Sequence, residues 1–307
     1  MPEPAILIIK LGALGNVILS LNAFAAIRAH HPDARISVLT TAPYAAWLRE
    51  APWFDDVLVD PRPAWWNLPD VLRLRRILSE PGFSRVYDLQ TSRRSSNYFH
   101  LFPRGAKPEW SGIATGSSHP DLDPNRGSMH DNDRQIRQLN QAGIFHIPPP
   151  DLSWCRGDIG RFGLPRDFVV LVPGSAPHRP EKRWPAERFQ VLAETLRARG
   201  LTPVVVGTTA EKPIGRAIPA AIDLTGQTRF GDLADLGRAA RFAVGNDTGP
   251  MHLLATAGCS SVVLFSHASD PALCAPRGPD VRVLRRPSLG SLEVGEVLDA
   301  LPHLVAA

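Results

Sequence analysis

Hydrophobic residues in this chain fall into short continuous runs bounded by glycine or proline, and these alternate with stretches whose apolar positions recur every three or four residues. Residues 5–10 (AILIIK) are the first run and predict a strand buried on both faces. A glycine turn follows (Leu11-Gly12-Ala13-Leu14-Gly15). Val17, Leu21, Phe24 and Ile27 then give a helix over 16–29 one apolar face. Runs at 35–40, 56–59 and 84–89 predict further strands, residues 103–133 read as a long loop, and Ile147 with Pro148, Pro149 and Pro150 reads as a linker. Beyond it the alternation restarts. Strands are expected at 168–172, 203–207, 242–245 and 261–265, with helices over 186–199, 232–240 and 250–257 and a short one after Thr209. Strand, turn, helix, strand is the grammar of a parallel sheet. Two successive α/β domains are therefore predicted, 1–150 and 151–307, with the C-terminal helix free to pack back on the first.

Composition narrows the class. The 307 residues are 44% hydrophobic and 21% charged, which excludes a disordered tail or a coiled coil. Thirty prolines and 24 glycines, without a collagen period, require short, punctuated elements. The net charge of +4 is spread evenly over the two halves, so neither is a basic nucleic-acid domain. Positive charge is local instead: Arg73, Arg75 and Arg76; Arg93 and Arg94; Arg179, Lys182 and Arg183; Arg282, Arg285 and Arg286. Three cysteines without a C-x-x-C pair give neither a disulfide framework nor a zinc ribbon and fit a reducing cytoplasm. The opening apolar run has no basic leader and is far too short to span a bilayer, so neither export nor a membrane span is expected.

Two segments carry candidate chemistry. In Gly245-Asn246-Asp247-Thr248-Gly249-Pro250-Met251-His252 a strand runs into a helix, with Asp247 or Thr248 able to cap it and Pro250 suited to its first turn. The N–H groups at such a helix start form a phosphate seat, although a plain capped helix has the same grammar. The second segment is Pro173-Gly174-Ser175 followed by Lys182-Arg183-Trp184-Pro185: a strand opening into a Gly-Ser loop, with a lysine placed to neutralise a leaving diphosphate. It is not a Walker A loop, and Gly12-x-x-Gly15 lacks the G-x-G-x-x-G of a dinucleotide site.

Together with Asp223-Leu224-Thr225-Gly226, Asp270-Pro271 and the N-terminal Ile9-Lys10-Leu11-Gly12-Ala13-Leu14-Gly15, these segments resemble glycosyltransferase family 9, the ADP-heptose:lipopolysaccharide heptosyltransferases. The resemblance implies a GT-B fold of two facing Rossmann-like domains, acceptor on the first and nucleotide-sugar on the second. It implies no cofactor and no metal. Carried over position by position, it implies donor contacts at Gly174, Ser175, Lys182, Asp247, Thr248, Gly249 and His252, and acceptor contacts at Gly12 and Gly15. The expected activity is inverting transfer of a heptose or related sugar from an ADP-sugar to a lipopolysaccharide inner core. That family carries Gly-Asp at the end of the first turn, where the aspartate serves as general base; here the pair is Gly15-Asn16. An amide cannot accept a proton, so three explanations stand: an engineered substitution at position 16, a base elsewhere, with Asp88, His119 and Asp131 as alternatives, or a protein that binds the donor with little or no transfer.

For the acceptor, Arg93 and Arg94 follow a strand end and suit an anionic glycolipid. Trp65, Trp66 and Leu68 lead into Val71, Leu72, Leu74, Ile77 and Leu78, interleaved with Arg73, Arg75 and Arg76. This is an amphipathic helix with a basic edge, either packed on the sheet or resting on the inner face of the inner membrane.

Overall fold

The computed structural model describes residues 4–103 and 105–301. The chain divides into two compact units, residues 1–154 and 155–307. The boundary falls a few residues beyond the proline run.

In the first unit, strands β1 (Ala5–Ile9), β2 (Arg35–Thr40), β3 (Asp56–Val59), β4 (Arg85–Asp88), β5 (Glu109–Gly112) and β6 (His119–Pro120) form one sheet in the order β3-β2-β1-β4-β5-β6. Every pairing is parallel. Its helices are α1 (Leu14–Ile18), α2 (Leu21–His30), α3 (Ala42–Leu48), α4 (Leu68–Ser79), α5 (Arg93–Tyr98) and α6 (Asp131–Gln141). Ile6, Leu7, Ile8 and Ile9 of β1 are all buried, as a central parallel strand covered on both faces requires. Val17 of α1 and Leu21, Phe24 and Ile27 of α2 are buried too, as their apolar character predicts.

The single helix expected over 16–29 is broken. Ser20 Oγ donates to the carbonyl of Asn16 at 2.7 Å, and the Ser20 amide bonds Val17 O, which turns the chain between α1 and α2. The break opens Leu19 O, which accepts from Asn132 Nδ2 of α6 at 2.9 Å. The long loop expected over 103–133 also needs correction, because it contains β5, β6 and the start of α6. The fully buried Trp110 of β5 packs against Phe99 and Phe102, which ties that strand to the core despite its polar neighbours.

The second unit repeats the plan. Its strands are β7 (Phe168–Val172), β8 (Thr202–Val205), β9 (Ile222–Asp223), β10 (Ala243–Asn246), β11 (Ser261–Phe265) and β12 (Val281–Arg285). Its helices are α7 (Ala186–Ala198), α8 (Lys212–Arg216), α9 (Phe230–Ala239), α10 (Gly249–Thr256), α11 (Pro271–Cys274) and α12 (Val294–Asp299). The sheet runs β12-β11-β10-β7-β8-β9, again parallel throughout. Numbered within each unit, both sheets have the Rossmann order 3-2-1-4-5-6, so each reverses direction between its first and fourth strands. Ligands of such sheets bind beyond the carboxyl ends of the strands at that reversal. The relevant ends are β1 and β4 in the first unit, and β7 and β10 in the second.

Val297 of α12 and Leu301 join the core of this second unit with Phe189, Leu192 and Leu196 of α7. The last helix among the described residues is thus packed within its own unit, and residues 302–307 lie outside the described residues. Among the described residues no helix is long and apolar enough to cross a membrane.

Candidate active site

In the second unit, the ends of β7 and β10 are bolted together by one side chain. The buried Asn246 closes β10; its Nδ2 donates to the carbonyls of Pro173 (2.8 Å) and Gly174 (3.3 Å), and its Oδ1 accepts from the Trp184 amide at 3.0 Å. Trp184 is itself buried, edge-on to Phe189, with its indole N–H on Leu292 O. Both ends of the 173–185 loop are therefore fixed. Between them the loop is knitted by Ser175: its hydroxyl donates to Arg179 O and accepts from Arg183 Nε at 2.9 Å. Gly174 leaves room for the Glu211 carboxylate, which would lie 1.6 Å from a Cβ there and which accepts from the amide and hydroxyl of Thr208.

This frame presents Lys182 at the start of α10. Its Nζ lies 2.5 Å from Asp247 Oδ2, the oxygen that also accepts from Ser269 Oγ at 2.6 Å. His252, one turn into α10 and buried, stands 3.9 Å from the other Asp247 oxygen. Thr248 is the N-cap residue, but its hydroxyl donates back to Asn246 O instead of capping. Helix geometry leaves the first N–H groups of α10 without intrahelical partners, at the positive end of its dipole. One lysine and one helix start thus converge at the carboxyl end of the sheet. Of the residues expected to face the donor, Lys182, Asp247, Thr248, Gly249 and His252 come together here. Ser175 and Gly174 shape the loop.

Asn246 and Ser269 were not among the expected site residues. Asn246 ends a buried apolar strand, which was a legible sign. Asn246→Ala removes three hydrogen bonds from a buried position and is expected to destabilise the second unit by about 2–4 kcal/mol in urea unfolding. A loss below about 0.5 kcal/mol would show that other contacts hold the loop.

The first unit places a buried charge cluster at its own sheet reversal. Lys10, directly after β1, donates to Leu89 O at 3.0 Å and lies 3.6 Å from Asp131 Oδ2, with both side chains buried. Burial pushes the Lys10 pKa down, partly countered by Asp131. Asp88 closes β4 fully buried and accepts from the Thr91 amide at 2.9 Å. Desolvation pushes its carboxyl up to about 6, against hydrogen bonds and Lys10 that pull it down. Sequence reasoning passed over Lys10, although a lysine closing an all-apolar strand was the available signal.

Above this cluster, Gly12 has φ +120°, and a Cβ there would meet the Tyr44 ring at 2.6 Å. Only glycine fits that turn. Gly15 is buried in α1, and Asn16 is half-buried in its first turn. Of the alternative bases, Asp88 is sealed and Asp131 pairs with Arg134 and Lys10, while His119 Nε2 lies 3.9 Å from Glu109 without a hydrogen bond. The two arginines diverge. Arg93 is exposed at the start of α5, whereas Arg94 donates to Pro63 O and stacks on Trp65 at 5.4 Å, holding a loop. Arg282 and Arg285 on β12, and Arg286 just beyond it, engage Ala300 O, Asp270 and Glu296.

Asp88 predicts a pH effect whose sign is fixed. With its pKa raised on folding, the native state holds a proton that the unfolded chain loses. Its contribution to stability therefore declines between about pH 4 and 6, and the full cost, on the order of 3 kcal/mol, persists above that. His31 runs the other way: burial lowers it to about 4, so stability falls as pH drops from about 6.5 toward 4. The two trends offset each other in the native chain. Asp88→Asn is expected to be more stable than the parent at about pH 8, by about 1–3 kcal/mol, and to lose that advantage by about pH 4. Equal stability of the two proteins at every pH would contradict this.

The match to known proteins follows the same geometry. The model of glycosyltransferase family 9 (heptosyltransferase) matches residues 71–293, which include Lys182 and all of α10. The chain belongs to glycosyltransferase family 9. It is 25% identical over 311 residues to lipopolysaccharide heptosyltransferase 2 of Escherichia coli (strain K12), covering 91% of this chain and 87% of that protein. Lipopolysaccharide heptosyltransferase 2 of Salmonella typhimurium is 24% identical with the same coverage. Among solved structures, E. coli ADP-heptose lps heptosyltransferase II superposes with a TM-score of 0.77 at 22% identity, covering 98% of each chain. The E. coli heptosyltransferase WaaC with ADP-2-deoxy-2-fluoro heptose gives a TM-score of 0.75 at 20% identity, covering 96% of this chain and 98% of that one. The α/β fold with two parallel six-stranded sheets is thus the GT-B fold of this family's heptosyltransferases.

Proposed function

We propose that this chain is an inverting heptosyltransferase, moving a heptose from an ADP-sugar to the inner core of a lipopolysaccharide. The observation that carries the reading is the Lys182–Asp247 pair at the start of α10, set where the second sheet reverses. An acceptor hydroxyl oxygen attacks the anomeric carbon while the bond from that carbon to the diphosphate breaks, and ADP leaves with the electron pair. Negative charge grows on the departing phosphate. Lys182 and the N–H groups at Thr248 and Gly249 neutralise it, with Asp247 holding Lys182 in place until the diphosphate competes for it. No metal or other cofactor is called on for this task.

In the first unit the turn ending in Asn16 receives the acceptor, with Gly12 and Gly15 giving close approach and the exposed Arg93 meeting an anionic group. Asn16 orients the hydroxyl by hydrogen bonding and leaves its proton to water. A nucleotide-activated donor and a lipid-borne acceptor put the reaction on the cytoplasmic face of the inner membrane. The test is ADP release from ADP-heptose, with and without a heptose-free inner-core acceptor. Release that rises with acceptor supports the reading; release indifferent to acceptor contradicts it.

A further inference from the structure

Four of the large hydrophobic side chains left exposed in this protein fall within eight consecutive residues: Trp65 (40%), Trp66 (89%), Leu68 (64%) and Leu72 (52%). Sequence periodicity alone allowed α4 to be an ordinary helix packed on the sheet, and one face is: Leu74 and Leu78 are buried in the core. Leu68 and Leu72 lie one turn apart on another face, which continues into Arg75 and Arg76. Arg62, Arg73, Arg75 and Arg76 are all exposed around this apolar strip. Opposing them on the same segment are Asp70, which accepts from Asn67, and Glu80, which pairs loosely with Arg76 at 3.5 Å. The balance is clearly positive.

The strip is also held in shape. Arg94 donates to Pro63 O and stacks on Trp65, whose ring lies 6.2 Å from that of Tyr98, while the Tyr98 hydroxyl donates to the buried Asp60 at 2.6 Å. Trp65 is thus pinned, and Trp66, its neighbour, is carried outward on a fixed loop.

We infer that this strip docks the protein onto the surface of an anionic phospholipid bilayer. Trp66, Leu68 and Leu72 enter the headgroup boundary, and Arg62, Arg73, Arg75 and Arg76 meet lipid phosphates. Tryptophan beside leucine, rimmed by arginine, is the composition such an interface selects. Charge argues against a second copy of the chain as the occupant. A two-fold contact would set the strip on itself, bringing four arginines of each copy against the same four of the other. The inference adds the surface and the lipid chemistry to the reading above, and vesicle binding needs neither donor nor acceptor, so the two stand or fall separately.

The experiment is co-sedimentation of the full chain with vesicles of phosphatidylcholine alone, or mixed about equally with phosphatidylglycerol. Tryptophan emission is followed in parallel against brominated lipid. Binding is expected on the anionic vesicles, falling with salt. The triple variant Arg73→Gln, Arg75→Gln, Arg76→Gln is expected to bind about a hundredfold more weakly. Trp66→Ser with Leu72→Ser is expected to abolish both binding and bromine quenching. Both variants change exposed positions only, and unaltered thermal unfolding shows that they are folded. Equal partitioning onto neutral and anionic vesicles, or variants that bind like the parent, would overturn the inference. So would a concentration-dependent dimer that Leu72→Ser dissolves.

Discussion

Replacing Lys182 by glutamine is expected to lower turnover by about a hundred- to a thousandfold, the usual consequence of removing one preorganised group from a site of developing negative charge. The size of the effect follows from the geometry. The residues after Lys182 are both fixed, Arg183 to the Ser175 hydroxyl and the Trp184 amide to Asn246, so in the proposed reaction the ammonium needs little reorganisation to meet a diphosphate. Its partner Asp247 is buried, and loss of the lysine charge leaves that carboxylate with Ser269 and His252. Part of any effect could therefore come from disturbing Asp247. Lys182→Arg separates the two contributions: it restores the positive charge and is expected to recover activity to within about tenfold of the parent, short of full recovery because a planar guanidinium replaces a point charge. Steady-state kinetics of both variants, with ADP affinity measured alongside, checks this. A loss under about fivefold in Lys182→Gln would remove Lys182 from the chemistry.

Asn16→Asp is expected to act in the opposite direction, raising turnover at least about tenfold. General bases typically contribute a hundred- to ten-thousandfold, and the lower figure is chosen because the position must also meet the substrate geometry. Aspartate has the shape of asparagine, so α1 need not move. A carboxylate in the first turn of a helix is favoured by the dipole, and the variant is expected to fold at least as well as the parent. Greater turnover at unchanged donor KM would show that the proton, not binding, limits the native protein. Unchanged turnover would place the base elsewhere. Asp131, which is tied to Lys10 and Arg134, is then the group to examine.

How much of this could be read from the sequence depended on burial. Strands β1, β2, β3, β7 and β11 were legible to within a residue because parallel strands with both faces covered are nearly unbroken apolar runs. The misses lie at or next to the sheet edges. β9 is two residues long, β12 alternates Val and Leu with Arg, and β5 holds one buried tryptophan among small and charged residues; none offers a run. The break between α1 and α2 depends on one serine hydroxyl and on Asn132, more than a hundred residues away, which no local window contains. The segments around Lys182 and the start of α10 were legible because each is local: a strand end, a turn and a helix start are written in consecutive residues. The buried cluster of Lys10, Asp88 and Asp131 was not, since three distant segments meet only in the folded sheet. Whether Trp66 and Leu72 face core or solvent was likewise undecidable from a periodicity that both arrangements share.

Transfer is seen most directly on the acceptor itself. A heptose-free inner-core lipid is incubated with ADP-heptose and the protein, then examined by mass spectrometry and by NMR of the new linkage. An inverting heptosyltransferase is expected to yield an acceptor heavier by one heptosyl residue, joined with anomeric configuration opposite to that of the donor. An unmodified acceptor, in a preparation that binds ADP-heptose tightly, would contradict it and leave a nucleotide-sugar-binding protein.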